Sequence, residues 1–143
     1  WLGLTGFWLA WVGVALSLPL AAWDAFIVPY LAVHVDGAVE QMEELSSDPP
    51  AVAFRVLVYI GVLSFCLGFL LLGIALLRST PALRLGGLLL AAGAPLFWIG
   101  ALAVSQGPLG NSVTITGALL FGIGLLLLAQ RLTARTAAVA PAR

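Results

Sequence analysis

Apolar positions along the chain fall into four long blocks, residues 1–23, 56–77, 85–104 and 113–129, none holding an Asp, Glu, Lys or Arg. About 20 apolar residues cross the roughly 30 Å hydrocarbon layer as a helix, so the blocks predict four spans, the fourth the shortest. Residues 105–112 (SQGPLGNS) interrupt the last two with Gly, Pro, Asn and Ser, which favour turns. That predicts a short hairpin loop between spans three and four. Residues 78–84 (RSTPALR) separate spans two and three, and residues 131–143 form a polar tail.

The remaining wet segment has a helical pattern of its own. Leu31, Val35, Ala38, Val39, Met42 and Leu45 recur at helical spacing, while Asp36, Glu40, Glu43 and Glu44 fall on the other side. The spacing predicts an amphipathic helix over residues 29–45, opened by Pro29 and stopped by the Pro49–Pro50 pair. Its acidic face is unlike the basic surfaces that seek anionic lipid, so it is expected to lie over the mouth of the bundle, apolar face down.

Composition turns these blocks into a class. With 62% hydrophobic and 8% charged residues and a mean hydropathy of +1.14, the chain is far more apolar than a soluble domain, where about a quarter of residues are charged. An all-α integral membrane four-helix bundle is the expected fold, one transmembrane domain over 1–143. The block at residues 1–23 is longer than a signal-peptide core and is read as a retained span. Zero net charge gives no argument for nucleic acid.

Charge also sets an orientation. All six acids lie between Asp24 and Asp48, and all six cations, Arg55, Arg78, Arg84, Arg131, Arg135 and Arg143, follow them. By the positive-inside rule the arginines at 78–84 and 131–143 mark the cytoplasmic side, which places both termini inside and the acidic loop outside. Asp24 and Arg55 then stand at outer ends of spans one and two, placed to form a structural ion pair. Asp36, Glu40, Glu43 and Glu44 make an outer acidic face.

Two further patterns concern packing. ALSLPLAAW in span one and AAGAPLFWIG in span three each carry a late proline (Pro19, Pro95) followed by a tryptophan (Trp23, Trp98), and LLLGIALL in span two resembles LLFGIGLL in span four. This suggests two helical hairpins in parallel repeat. Broken helices at matching positions point to a binding site between halves, so Trp8, Trp11, Pro19, Pro95 and Trp98 are the candidate walls of an apolar cavity under the loop helix. Ser64 with Gly68, and Ala118 with Gly122, form small-xxx-small faces for close helix contact.

Chemistry is sparse. One His and one Cys exclude a histidine pair on haem, a CxxC redox pair and a thiolate metal site within one chain. Glycine-rich LRLGGLLLAAG lacks a phosphate-binding pattern and lies in a span. His34 with Asp36, Glu40, Glu43 and Glu44 is the one cluster that could bind metal, but His34 sits about 120° around the helix from Glu40, and a solvated acidic face is the expected reading. Cys66 is expected to be a packed thiol. Thr5, Ser17, Ser64, Thr114 and Thr116 are read as packing or back-bonding hydroxyls. No ionisable side chain stands mid-span, which counts against proton-coupled transport.

Residues 70–102, LLLGIALLRSTPALRLGGLLLAAGAPLFWIGAL, resemble a layout common in polytopic membrane proteins of high-GC bacteria, including a family known only as a domain of unknown function. There a Leu/Gly-rich span ends in Arg-Ser, a Pro-containing turn follows, and the next span opens Gly-rich and reaches a Pro. Arg78, Ser79, Pro81, Arg84, Gly86 and Pro95 match it. The resemblance covers about a quarter of the chain and implies a multi-pass protein of the bacterial inner membrane, with no activity, cofactor or site attached.

The expected function is therefore non-enzymatic: an accessory or structural subunit, as a homo-oligomer or among other membrane subunits, in contact with lipid and holding lipid or an apolar cofactor. The alternative is a small-solute transporter or channel with its site under the outer loop helix.

Overall fold

The computed structural model describes residues 1–102 and 108–139, with side chains beyond residue 134 and those of Asp24, Val39, Met42, Glu43, Leu45 and Pro108 outside the described set. The described residues are almost wholly helical and contain no strand. Helix α1 (Leu2–Ala22) passes through a π-helical turn (Trp23–Ile27) into α2 (Val28–His34), followed by α3 (Ala38–Glu44) and a 3-10 turn (Leu45–Ser47). Then come α4 (Pro49–Leu77), α5 (Pro81–Leu102) and α6 (Pro108–Val139). Four helices, Leu2–His34, Pro49–Leu77, Pro81–Leu102 and Leu109–Ala134, are long and apolar enough to cross a membrane, and the protein is multi-pass by that measure.

Local chemistry explains why boundaries moved from those read in the sequence. The first rod runs 33 residues, about 50 Å, well past residue 23. Pro19 removes one backbone donor, and the wider π turn absorbs the irregularity, with the Trp23 N–H shared between the Leu20 and Pro19 carbonyls. Asp24 falls inside the turn, and a single acid does not end a helix.

The predicted loop helix over 29–45 forms as two pieces. Val35 is extended (φ −129°, ψ 108°) and Gly37 is left-handed at φ +72°, a backbone shape open to glycine. That elbow cuts the amphipathic stripe, and α3 packs on α2 and the 3-10 turn, with no packing on α1, α4, α5 or α6 among the described residues. Among the described residues the expected roof over the bundle is thus not formed; the side chains of Val39, Met42 and Leu45 lie outside the described set. Pro49 and Pro50 occupy the first turn of α4, where the missing donors cost nothing, so span two starts seven residues before position 56.

At the opposite end the reversal is tight. Ser79 N–H and hydroxyl both bond the Leu76 carbonyl, at 3.1 and 2.6 Å, and Pro81 opens α5. The predicted loop at 105–112 is only partly visible: residues 105–107 lie outside the described set, and residues 108–112 already form the first turn of α6. Residues 131–139, expected as a polar tail, continue α6, and residues 140–143 lie outside the described set.

The four long helices pack as a row in chain order: α1 on α4, α4 on α5, α5 on α6, with no packing of α1 on α6 among the described residues. The bundle is open, and its two end helices keep most of their surface outward. Glycine spaced by seven makes the seams. Gly6 and Gly13 of α1 face Gly68 and Phe65 of α4, while Gly86, Gly93 and Gly100 of α5 face Gly124, Phe121 and Thr114 of α6. A seven-residue repeat holds one stripe against a partner along a whole helix, and small residues let backbones approach in lipid, where burial of hydrocarbon gives no drive. A Cβ on Gly6 would stand 2.6 Å from the Leu72 nitrogen, and one on Gly68 would collide with the Ala10 backbone. Gly73 meets Gly87 across the central seam.

Gly68 thus packs as its small-residue face predicts. The α6 seam runs instead through Gly117 and Gly124, leaving Ala118 exposed and Gly122 with nothing within 4 Å of where a Cβ would be. The suggested equivalence of LLLGIALL and LLFGIGLL accordingly pairs Gly73, packed on α5, with Gly122, which meets nothing: α4 is flanked on two sides, α6 on one.

Candidate functional site

Helices α4 and α5 present large rings, joined by Phe121 of α6, beside small or aliphatic side chains of α1 and α6. Val14, Ser17, Leu18 and Ala21 of α1, Phe65 of α4, and Phe97 and Trp98 of α5 enclose a groove of about 180 Å³. A second groove, about 200 Å³, shares Phe65 and Phe97 and is completed by Ala118 and Phe121 of α6. The two share the Phe65 and Phe97 rings, and their linings together draw on all four helices; the pair is called the trough below.

The floor of the trough is an aromatic cluster. Phe65 lies 4.8 Å from Phe69 and 5.5 Å from Phe121 between ring centres, and Phe69 meets Phe121 edge to face at 4.7 Å. Trp98 stands edge-on to Phe65 at 6.3 Å and to Phe97 at 5.2 Å. Edge-to-face and tilted pairs at these separations add about 0.5–1.5 kcal/mol each beyond simple burial, enough to hold the floor rigid. Phe121 reaches α4 because α5 offers glycine in between: Phe121 N is 2.5 Å from where a Gly93 Cβ would sit. Beneath lie Leu90 and Ala94, the most buried apolar side chains, at 1% and 0% exposure.

Trp98 separates this trough from a groove of about 320 Å³ lined also by Val62, Leu63, Cys66, Pro95, Ile99 and Leu102. Cys66 is half-buried there, its Sγ 3.9 Å from the Ala94 carbonyl, as a packed thiol should be. Of the expected cavity walls, the structure brings Pro95 and Trp98 together. Pro19 is exposed, and Trp8 and Trp11, 56% and 59% exposed, stack edge to face on each other and on Phe7 along the outer side of α1.

Sequence reasoning passed over Ser17, Phe65, Phe97 and Phe121 as wall residues. A signal was present: Gly6, Ala10, Gly13 and Ser17 form a run of small residues at alternating four and three spacing, which marks the packed face of α1 and hence the level of its neighbours. Ser17 also departs from the other hydroxyls. Thr114 and Thr116 donate to the carbonyls four residues earlier, at 2.9 and 2.7 Å, as expected of back-bonding hydroxyls. Ser17 Oγ and Trp98 Nε1 are buried without a hydrogen-bond partner among the described residues.

The polar end behaves as a scaffold. The Arg55 guanidinium donates to the Ser46 carbonyl at 2.6 Å, tying α4 to the 3-10 turn. The side chain of its expected partner Asp24 lies outside the described set, and among the described residues the π turn that carries it makes no contact with α4. His34 stacks on Tyr30 with ring centres 4.3 Å apart, and its Nδ1 donates to the Tyr30 carbonyl at 2.9 Å, which fixes the tautomer. Asp36, Glu40 and Glu44 are exposed, and the side chain of Glu43 lies outside the described set. Among the described residues no three His, Cys, Asp or Glu side chains are grouped to hold a metal ion. Compared with protein-family models, curated proteins and solved structures, the chain matches none, so the layout shared by residues 70–102 assigns no family.

Proposed function

We propose that the protein is a non-enzymatic subunit of the bacterial inner membrane that holds lipid or an apolar cofactor in its aromatic trough. It works as an oligomer or alongside other membrane subunits. The observation that carries this reading is the trough itself, a rigid ring-floored recess with aliphatic walls, set in an open row whose end helices present apolar faces. Recesses of a few hundred Å³ with mainly apolar and aromatic lining are the usual form of sites for apolar ligands.

The arginine turn and the arginines of α6 face the cytoplasm in this proposal, and the acidic loop faces outward. Asp24 and Arg55 pin the outer ends of the first hairpin. In this reading a lipid chain enters the trough from the bilayer.

The test is sizing of the protein extracted gently from its own membrane, paired with flux assays on the purified protein in liposomes. An assembly with a fixed stoichiometry of a second subunit or second copy, and no solute flux, is expected. A monomer that conducts ions or solute, with flux lost on Phe97→Ala, would overturn the reading in favour of a transporter or channel.

A further inference from the structure

The two hairpins differ in height. At one end they are level: Gly86 of α5 sits against Leu128 of α6 and Gly87 against Leu76 of α4, which sets Arg84, Arg131 and Arg78 within about a turn of one another. Arginines at one depth mark a membrane boundary. From Leu85, about 20 residues of helix cross the hydrocarbon, and α5 ends at that distance, at Leu102. The same level on α4 is near Val62 and Leu63, which share a groove with Leu102, and on α1 near Leu16, which packs against Gly61. Past it, α4 carries on to Pro49 and the first rod to His34, about 20 and 27 Å further.

This overhang is apolar and unpartnered. Phe26, Tyr30 and Val33 are 74%, 60% and 79% exposed, and Val52, Phe54 and Val56 of α4 are exposed too. Among the described residues the π turn and α2 pack only on their neighbours along the chain, with no packing on α4, α5 or α6. Tilt does not draw the overhang into the bilayer. A rod of about 50 Å fits a 30 Å layer only at about 53°, outside the usual 0–40°, and α1 is bound through α4 to α5, which fits upright. Apolar surface left outside hydrocarbon marks an interaction site. Charge selects its occupant: Asp36, Glu40, Glu44 and Asp48 are exposed at this end, and Arg55 is tied to the Ser46 carbonyl. A second copy would bring the same acids, and anionic headgroups are repelled.

Resting on the reading of the chain as a subunit alongside others, we infer that the overhang is a docking surface outside the membrane for a different protein, one presenting an apolar segment flanked by Lys or Arg.

The experiment has two parts on the full chain. With Cys66→Ala, spin labels on Phe26→Cys and Tyr30→Cys in phosphatidylcholine liposomes are compared with one on Leu119→Cys, on the exposed face of α6. Collision with a water-soluble nickel chelate is expected to be several-fold greater at 26 and 30 than at 119, and lipid-like values at both overturn the overhang. In the native membrane, a benzoylphenylalanine replacing Phe26, Tyr30 or Phe54 is expected to cross-link one protein through an apolar segment with Lys or Arg within two turns. Glu40→Gln, Glu44→Gln and Asp48→Asn together should lower that yield about fivefold, as loss of three exposed ion pairs would. Cross-links to a second copy, to lipid or to a segment without basic residues overturn the partner assignment, as does a yield indifferent to the three acids. No cross-link at all overturns the docking surface, and an assembly of fixed stoichiometry then leaves the subunit reading standing, whereas a lone chain that conducts solute overturns both.

Discussion

Gly117 and Gly122 lie five residues apart on α6 and separate the packing found here from the one a small-residue motif suggests. A Cβ at Gly117 would stand 2.6 Å from Phe97 Cα and 2.8 Å from the Leu96 carbonyl carbon, while one at Gly122 would meet nothing within 4 Å. Ordinary contact is near 3.5 Å and the Phe97 nitrogen stands closer still, so Gly117→Ala must push α6 from α5 by at least about 1 Å. A gap of that size forfeits a quarter to a half of each contact's ~0.1–0.2 kcal/mol, and over about 40 atom pairs the loss is about 2 kcal/mol. That agrees with the usual cost of overpacking. Alanine recovers roughly 0.5–1 kcal/mol over glycine within a helix, leaving Gly117→Ala destabilised by about 1–1.5 kcal/mol and Gly122→Ala neutral or slightly stabilised. Reversible unfolding in mixed micelles measures both. A neutral Gly117→Ala with a destabilised Gly122→Ala would refute the seam.

Three other consequences follow from the same geometry. With Cys66 replaced by Ala, the pair Gly3→Cys and Ala75→Cys should oxidise readily, because a Cβ on Gly3 stands 3.5 Å from the Ala75 Cβ and disulfides need about 3.5–4.5 Å; no cross-link on mild oxidation argues against the α1–α4 register. Gly37→Ala places a side chain at φ +72° and should destabilise the elbow by about 1 kcal/mol, seen as faster amide exchange over residues 36–44 with the seams unchanged. Unchanged exchange there contradicts the left-handed elbow. Arg55→Ala removes the exposed guanidinium bond to Ser46, so residues 45–48 should be cut faster by protease while global stability falls by under about 1 kcal/mol, and equal cleavage of both proteins would dismiss the tie.

How much of this was legible in the sequence depends on what each feature requires. Four spans and their order were visible because length and apolarity are local properties. The elbow at Gly37 was less so: hydrophobic period continues across it, and only backbone geometry shows that the stripe is cut. Proline was read as a stop at Pro49, yet at N1 it is a start, and the chain uses it to open α4, α5 and α6. The trough was half legible. Trp98 was named, but Pro95 lines the neighbouring groove, and Trp8 and Trp11, grouped with them by residue type, are turned outward by helix rotation. Rotation is set by the seven-residue glycine stripes, which appear in the sequence as Gly86, Gly93 and Gly100, and as Gly110, Gly117 and Gly124. Reading those first would have turned Phe97 and Phe121 toward each other and shown Ala118 and Gly122 to be off the seam.

The central claim is that the trough holds an apolar molecule in the native protein. Native mass spectrometry of the protein released gently from its own membrane, recording the intact mass and whatever leaves on activation, tests it most directly. The account predicts one lipid or apolar cofactor retained per chain and shed only under strong activation. A chain that flies bare under conditions that preserve its assembly would contradict it.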